Sequence, residues 1–190
     1  MATGWHHRRR APNLPPMDQQ NLWAPWRIGY IKGLMDAEAG GKRGGCFLCE
    51  VAQAELDDDA RREHLVLLRD ARGVLMLNRF PYTNGHMLAA PAGHVPELTD
   101  MTAEQRAGLI DLCELATRLL RAALNPQGVN LGMNIGRCAG AGLPGHAHMH
   151  IVPRWSGDVN FMDVVGQVRV IPEALESTYD ALTAALANET

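Results

Sequence analysis

Residues 142–155 read GLPGHAHMHIVPRW, and three of the eight histidines of the chain, His146, His148 and His150, occupy alternate positions within them. Side chains on a β-strand point alternately to its two faces, so this spacing predicts three histidines on one face and apolar residues on the other. Neighbouring histidines on one face lie about 6.5 to 7 Å apart, too far for hydrogen bonds between adjacent rings. The stretch therefore predicts a strand whose histidines each have a separate partner.

Three roles are open to such a cluster: metal ligands, a catalytic relay, or a polar strand face. A single histidine favours the polar face, whereas three in register favour a functional site. The preceding residues 138–145, CAGAGLPG, support the functional interpretation. Gly140, Gly142 and Gly145 let the backbone approach a ligand closely, and successive N–H groups can hold phosphate oxygens.

The length and composition indicate one globular domain. The chain has 190 residues, of which 46% are hydrophobic and 21% charged. We expect a single domain over residues 21–190, including a C-terminal extension, after a flexible polar leader over residues 1–20. A net charge of −3 gives no general attraction to nucleic acid or membranes. No apolar run is long enough to span a bilayer, and the four cysteines do not form a secreted disulfide pattern, which favours the cytoplasm.

The periodicity of apolar residues predicts an α+β fold. Thr102 and Gln105 form a capping-box pattern that opens a long helix, and Asn125-Pro126 ends it. A second helix is expected from about Pro172. The charged run over residues 55–64 is interpreted as a solvated connection. About five strands without regular strand–helix alternation predict a mainly antiparallel sheet. The predicted strands are 64–70, 73–81, 84–94, 129–136 and 146–153.

A second motif, Cys46-Phe47-Leu48-Cys49, offers two thiols in a C-x-x-C pair. Such a pair is either a redox motif or half of a zinc site. The flanking glycines and loop do not supply the βαβ setting of a thioredoxin-like redox motif. A structural zinc site needs two more ligands, and the candidates are His64, His86, His94 and the histidines of the cluster.

The sequence HAHMHIV at 146–152 resembles the signature of the histidine triad (HIT) superfamily, in which three histidines alternate with apolar residues. Residues 77–91 resemble the nucleoside-side strand pair of this family, and residues 131–136 its strand beside the phosphates. LWAPWR at 22–27 and PRWSGDVNF at 153–161 resemble a bacterial branch related to fragile histidine triad hydrolases and diadenosine tetraphosphate phosphorylases. The resemblance implies a HIT-like fold and a hydrolase of dinucleoside polyphosphates that works through a covalent nucleotidyl-histidine.

The resemblance also implies roles for individual residues. His148 is the expected nucleophile, His150 holds its ring in the right tautomer or fixes the adjacent backbone, and His86 lies in the same network. Asn78 matches the position that binds the ribose hydroxyls, although a turn residue is the alternative interpretation. Asn134 matches a position near the phosphates or the leaving group, with a hydrogen bond that closes the strand end as the alternative.

The resemblance also assigns a role to the glycine-rich loop and gives an expectation for the second nucleophile. The backbone of Gly140, Ala141 and Gly142 is expected to contact phosphate oxygens. Related phosphorylases have a serine at the place of Gly142, and its absence here favours water over phosphate as acceptor. A phosphorylase that uses phosphate and a low-turnover nucleotide-binding sensor are the alternatives. The family resemblance further implies a homodimer.

Zinc-containing relatives suggest the missing ligands of the C-x-x-C pair. Their third ligand follows the nucleoside-binding strand and their fourth is the first histidine of the triad, which here are His94 and His146. We therefore expect structural zinc bound by Cys46, Cys49, His94 and His146. Four protein ligands leave no open coordination position, so this zinc is not expected to activate water. The alternative is two buried free cysteines and an isolated surface His94.

Overall fold

The computed structural model describes residues 45–53, 55–158 and 171–189. The expected leader, the LWAPWR segment and the last residues of PRWSGDVNF lie outside these ranges. No helix in the described ranges combines the length and the apolar composition that crossing a bilayer requires. The helices are α1 (Phe47–Gln53), α2 (Asp58–Glu63), α3 (Ala103–Leu124) and α4 (Leu175–Ala187). The strands are β1 (Val66–Asp70), β2 (Gly73–Leu77), β3 (Met87–Pro91), β4 (Gly128–Met133) and β5 (Met149–Arg154).

The five strands form one sheet in the order β1-β2-β3-β5-β4, and every neighbouring pair is antiparallel. This confirms the predicted α+β class with a mainly antiparallel sheet. Strand β5 comes last in sequence among the described strands but lies between β3 and β4 in the sheet. Helix α3 connects β3 to β4, and the space between these two strands is filled by β5. Strand β5, which contains His150 and directly follows His148, is therefore internal to the sheet.

Helix α3 follows its sequence signals closely. The Thr102 hydroxyl accepts a hydrogen bond from the Gln105 backbone N–H at 3.2 Å, and the Gln105 side chain accepts one from the Thr102 N–H at 2.9 Å. The helix ends at Leu124, and Asn125 adopts a left-handed conformation with φ of 46°. Seven apolar residues recur at helical spacing along α3, which predicts that they share its core face. Six are buried and the last, Ala123, is partly buried and packs against them: Leu109, Leu112, Cys113, Ala116, Leu119, Leu120 and Ala123.

Two local predictions need correction. The run 55–64, interpreted as a connection, contains the short helix α2, because Asp57 caps it through a 2.8 Å hydrogen bond from the Ala60 N–H. The histidine strand starts at Met149, three residues after His146. The Ala147 N–H donates to the Val95 carbonyl at 2.7 Å, so the chain before Met149 is held by residues beyond the end of β3.

Alternation along the strands produces a different environment on each face of the sheet. On one face, α3 and α4 pack over a core that includes Leu75, Met87 and Ile151. On the other face, α1 packs with Val66 of β1, Met76 of β2 and Leu88 of β3. His150 pairs with Leu88 across β3 and β5, and with Gly132 across β5 and β4. His150 therefore lies beside the α1 cluster, on the same face.

Gly85 gives a stability test of the turn that leads into β3. It has φ of +73°, and a Cβ there would lie 2.5 Å from Leu124 Cδ1 and 3.1 Å from Leu120 Cδ2. We expect Gly85→Ala to reduce the free energy of unfolding by about 1 to 3 kcal/mol, because it adds a strained backbone and a clash. Urea unfolding measures this change.

Gly132→Ala is the matched control, because a Cβ at Gly132 meets nothing within 4 Å and its φ is not in the left-handed region. Its effect should stay within about 0.5 kcal/mol of wild type. Equal destabilisation by the two substitutions would contradict this account of the turn.

Candidate functional site

The structure brings the four predicted metal ligands together. Cys46 precedes α1 and Cys49 lies in its first turn, while His94 follows β3 and His146 precedes β5. One ligand atom from each of the four residues lies within 4.8 Å of every other. The Cys46 Sγ and Cys49 Sγ atoms are 3.3 and 3.4 Å from His146 Nδ1, and Cys49 Sγ is 3.1 Å from His94 Nδ1. Tetrahedral zinc with bonds of about 2.1 and 2.3 Å would separate sulfur and nitrogen by about 3.6 Å.

The tautomer of His146 suits a metal ligand. Its Nε2 atom lies 3.0 Å from the Pro91 carbonyl oxygen, which can only accept, so Nε2 carries the proton. The Nδ1 lone pair is then directed to the thiols. Metal-bound histidines commonly donate their second N–H to a carbonyl in this way. Burial, followed by the neighbouring Cys46 and Glu50, raises the pKa of the Cys49 thiol to about 11. A bound cation would offset this cost of forming thiolate.

His148 is held in one tautomer by the backbone. Its side chain is buried, and Nδ1 lies 2.8 Å from the His146 carbonyl oxygen. Because a carbonyl only accepts, Nδ1 carries the proton and Nε2 carries the lone pair of the neutral ring. Burial lowers the pKa of His148, and the hydrogen bond to the carbonyl only partly opposes this shift. The ring is therefore a neutral imidazole with a nucleophilic Nε2.

A second chain of hydrogen bonds joins His86 to His150. The Tyr82 backbone N–H donates to His86 Nδ1 at 3.1 Å, so the proton of His86 is on Nε2. This Nε2–H donates to His150 Nδ1 at 3.0 Å, which leaves the proton of neutral His150 on its Nε2. Burial, followed by repulsion from His150 and His148, lowers the pKa of His86 to about 3. His86 is thus a fixed, neutral donor to His150.

The two predicted asparagines both contact this chain. Asn78 accepts from the Phe80 N–H at 3.0 Å through Oδ1, and its Nδ2 lies 3.3 Å from His86 Nδ1. It is therefore a turn residue as well as a neighbour of the histidines. The Asn134 amide, just beyond β4, lies 3.5 Å from His150 Nε2. The ring centroids of His148 and His150 are 5.1 Å apart at an interplanar angle of 62°. His148 bonds to the His146 carbonyl and His150 to the His86 ring, so each has its own partner, as the spacing predicted.

Part of the glycine-rich loop satisfies its own backbone groups. The Gly140 N–H donates to the Arg137 carbonyl at 2.9 Å, and the Ala141 N–H donates to the Gly136 carbonyl at 3.3 Å. Two of the three backbone amides predicted to contact phosphates therefore already donate to carbonyls just before the loop. Gly145 has a different role, because a Cβ there would lie 3.3 Å from His94 Nε2. The absence of a side chain at this position lets His94 approach the metal-ligand cluster.

Three groups of the site were not predicted from the sequence. They are the carbonyls of Pro91 and His146, and Tyr82, whose ring lies against those of His86 and His150. Every residue has a backbone carbonyl, so the sequence does not indicate which carbonyls accept hydrogen bonds from the histidines. Tyr82 lies in the segment that resembles the nucleoside-side strand pair, but its contacts depend on how the loop folds.

A cavity of about 400 Å³ lies away from these residues, between α2, the start of β1 and α4. None of the predicted site residues lines it. Its lining includes Arg62, which pairs with Asp180, and Arg79, whose guanidinium donates to the Glu63 carbonyl at 2.6 Å. The histidine cluster, with its fixed tautomers and adjacent loop, is the better candidate for chemistry.

His148, buried and with its Nδ1 bonded to a backbone carbonyl, lies beside the hydrogen-bonded pair of His86 and His150, at the start of an internal strand of an antiparallel sheet. A neutral imidazole with a free lone pair is the kind of group that can attack phosphorus. The HIT domain family model matches residues 60–157, so the chain belongs to the HIT family, as its resemblance implied. The chain is 37% identical over 161 residues to a Mycobacterium tuberculosis protein named AP-4-A phosphorylase, a match that covers 84% of this chain and 80% of that protein.

Further similarities support the family and the fold. The chain is 29% identical over 100 residues to a Schizosaccharomyces pombe protein named bis(5'-nucleosyl)-tetraphosphatase [asymmetrical], covering 53% of this chain and 54% of that protein. A crystal structure of a Zn-bound histidine triad family protein from Mycobacterium smegmatis superposes with a TM-score of 0.61 at 28% identity. That match covers 76% of this chain and 95% of the other.

The assigned tautomers are directly observable. We expect long-range ¹H–¹⁵N spectra of the purified protein to show the His148 proton on Nδ1 and the His86 proton on Nε2. With its pKa near 3, His86 should remain neutral throughout a titration from pH 8 to 5. Uptake of a proton by His86 near pH 6.5, the ordinary value for the side chain, would contradict the buried hydrogen-bond chain.

Proposed function

We propose that the protein cleaves dinucleoside polyphosphates such as diadenosine tetraphosphate through a covalent nucleotidyl intermediate on His148. The observation that carries this proposal is the 2.8 Å hydrogen bond from His148 Nδ1 to the His146 carbonyl, which leaves the lone pair on Nε2. The relatives named AP-4-A phosphorylase and bis(5'-nucleosyl)-tetraphosphatase support the substrate class. The enzyme class is a nucleotidyl hydrolase or transferase.

The first step transfers a nucleotidyl group to the enzyme. The Nε2 lone pair of His148 forms a bond to the α-phosphorus, and the bond from this phosphorus to the bridging oxygen breaks. From diadenosine tetraphosphate, ATP leaves as an anion. Because Nδ1 keeps its proton, the ring becomes positively charged, and the His146 carbonyl stabilises that charge.

The second step restores the histidine. A water oxygen attacks the same phosphorus, the bond from phosphorus to Nε2 breaks, AMP leaves, and one proton passes to solvent. Two displacements with a good nucleophile and a good leaving group replace one difficult displacement by water. The ring returns to the neutral state that burial favours.

The neighbouring residues are assigned to binding and orientation. His150, which receives the His86 Nε2–H, presents its own Nε2–H toward the side where Asn134 lies. We assign this donor to oxygens of the transferred phosphate or the leaving group. Asn78, held by the Phe80 N–H, is assigned to the ribose hydroxyls.

The glycine-rich loop is assigned to the phosphates. The amides of Gly140 and Ala141 already have carbonyl partners, which leaves the Gly142 amide as the stronger donor among those predicted.

Phosphate instead of water as the second nucleophile is the second candidate. It is favoured by the 37% identity to the protein named AP-4-A phosphorylase. Gly142 favours water, because it has no hydroxyl to hold an acceptor phosphate. The two reactions share the first step and differ only in the attacking oxygen. Water gives AMP, whereas inorganic phosphate gives ADP.

A product assay separates these reactions and tests the nucleophile. The protein is incubated with diadenosine tetraphosphate with and without inorganic phosphate, and nucleotides are separated by chromatography. We expect AMP with ATP in both conditions, while ADP formed only with phosphate would establish the phosphorylase. His148→Ala should reduce kcat at least about a thousandfold, because the covalent route is lost.

His64→Ala is the matched control for this assay, since His64 is exposed and follows α2, outside the histidine cluster. It should retain wild-type turnover. Full activity of His148→Ala would overturn the mechanism, and tight binding without turnover by the wild type would indicate a nucleotide sensor.

We further propose that Cys46, Cys49, His94 and His146 bind zinc. The proposal is supported by the distances between their ligand atoms and by the Pro91 carbonyl, which fixes His146 with Nδ1 free. With four protein ligands the zinc is structural, so no catalytic step involves it. Its ligands join the start of α1 to the ends of β3 and the histidine segment. The homodimer and the cytoplasmic location expected from the sequence remain predictions.

Metal analysis tests the zinc proposal. We expect about one zinc per chain in protein purified without chelator, and at least about tenfold weaker retention in Cys49→Ser. The matched control is Cys138→Ser, because Cys138 is exposed and outside the ligand cluster. Removal of zinc should also lower the urea midpoint of wild type but not that of Cys49→Ser. Absence of zinc from the wild type would disprove the site.

A further inference from the structure

Tyr82 contacts both members of the buried histidine pair. It is half-buried in the loop between β2 and β3. Its ring centroid lies 4.5 Å from that of His86 at an interplanar angle of 35°, and 5.6 Å from that of His150 at 21°. Both separations are in the range of favourable aromatic contacts, and the second pair is nearly parallel. The Tyr82 backbone N–H also donates to His86 Nδ1 at 3.1 Å.

His150 has contacts both at its ring atoms and on its ring face. The His86 Nε2–H donates to His150 Nδ1 at 3.0 Å, and the Asn134 Nδ2 atom lies 3.5 Å from His150 Nε2. A hydrogen bond at one ring atom fixes a point but allows the ring to tilt about it. A flat side chain packed on the face of the imidazole removes that freedom. Tyr82 supplies this face.

We infer that Tyr82 is a positioning residue for His150, an inference that rests on the proposed function. Its backbone N–H fixes the tautomer of His86, and its ring holds the plane of His150 so that Nε2–H points toward the phosphate undergoing transfer. We assign this role to the aromatic plane of Tyr82, which a phenylalanine would keep. Tyr82 acts through His150 and His86 and does not itself carry out a chemical step.

Kinetics of two variants test this role on diadenosine tetraphosphate. Tyr82→Phe keeps the plane, so its kcat should stay within about twofold of wild type. Tyr82→Leu keeps the backbone N–H but loses the plane, so its kcat should fall about ten- to a hundredfold. Its KM should change less than about threefold, because ground-state binding is retained.

Spectra of the resting protein supply a readout that needs no substrate. In wild type and Tyr82→Phe, the His86 Nε2–H bonded to His150 should give a slowly exchanging NMR signal. In Tyr82→Leu the His150 ring can tilt away, and exchange of this proton with water should be at least about tenfold faster. Thermal unfolding of each variant shows whether the fold is retained. If Tyr82→Leu does not fold, Tyr82→Met replaces it.

Several results would overturn the inference. In the kinetics, these are a kcat of Tyr82→Leu within threefold of wild type, an equal fall of kcat in Tyr82→Phe and Tyr82→Leu, or a change in Tyr82→Leu that affects KM alone. In the spectra, the contrary result is exchange of the His86 Nε2–H in Tyr82→Leu at the wild-type rate. If wild type itself does not cleave the substrate, the proposed function fails. The exchange measurement then still decides whether Tyr82 holds His150.

Discussion

The hydrogen bond from His148 Nδ1 to the His146 carbonyl is the contact on which the site depends. The His146 side chain lies among the thiols, while its backbone carbonyl sets the tautomer of His148. The two contacts are compatible, because the thiols face the ring of His146 and His148 bonds to its carbonyl. The Pro91 carbonyl completes the arrangement by holding the opposite ring nitrogen of His146. The cluster of Cys46, Cys49, His94 and His146 is thus joined to His148 through His146.

Burial and hydrogen bonding act together on the other pair. His86 is fully buried, and burial alone would destabilise a charged ring. The donors at its Nδ1 remove the ambiguity that a neutral imidazole otherwise has between two tautomers. Among the residues that the structure describes, backbone groups and an asparagine determine the proton positions of these histidines. A polar network of this kind keeps its geometry only while every member has its partner.

Much of the fold and site could be predicted from local patterns. The capping box of Thr102 and the apolar spacing of α3 each depend on residues close in sequence. The alternation of the three histidines predicted a strand from residue 146, but β5 begins only at Met149, so of the three only His150 lies in it. The grouping of Cys46 with His94 and His146 required the family resemblance, because it depends on contacts between distant segments. Helix α2 was missed because its residues are charged and exposed, so no apolar period marks it. The Tyr82 contacts and the carbonyl acceptors were missed because they depend on backbone conformation, which residue types do not encode.

The position of β5 has a consequence for how the protein folds. Strands β1 to β3 are joined by short connections, whereas β4 cannot join them until β5 is in place between β3 and β4. Until then, β3 and β4 each present an unpaired edge of the kind that promotes aggregation. Pairing across large sequence separations is slow because of the entropy of loop closure. The sheet is therefore completed by the strand that directly follows His148 and carries His150, and a chain that has not finished folding has not yet assembled its histidine cluster.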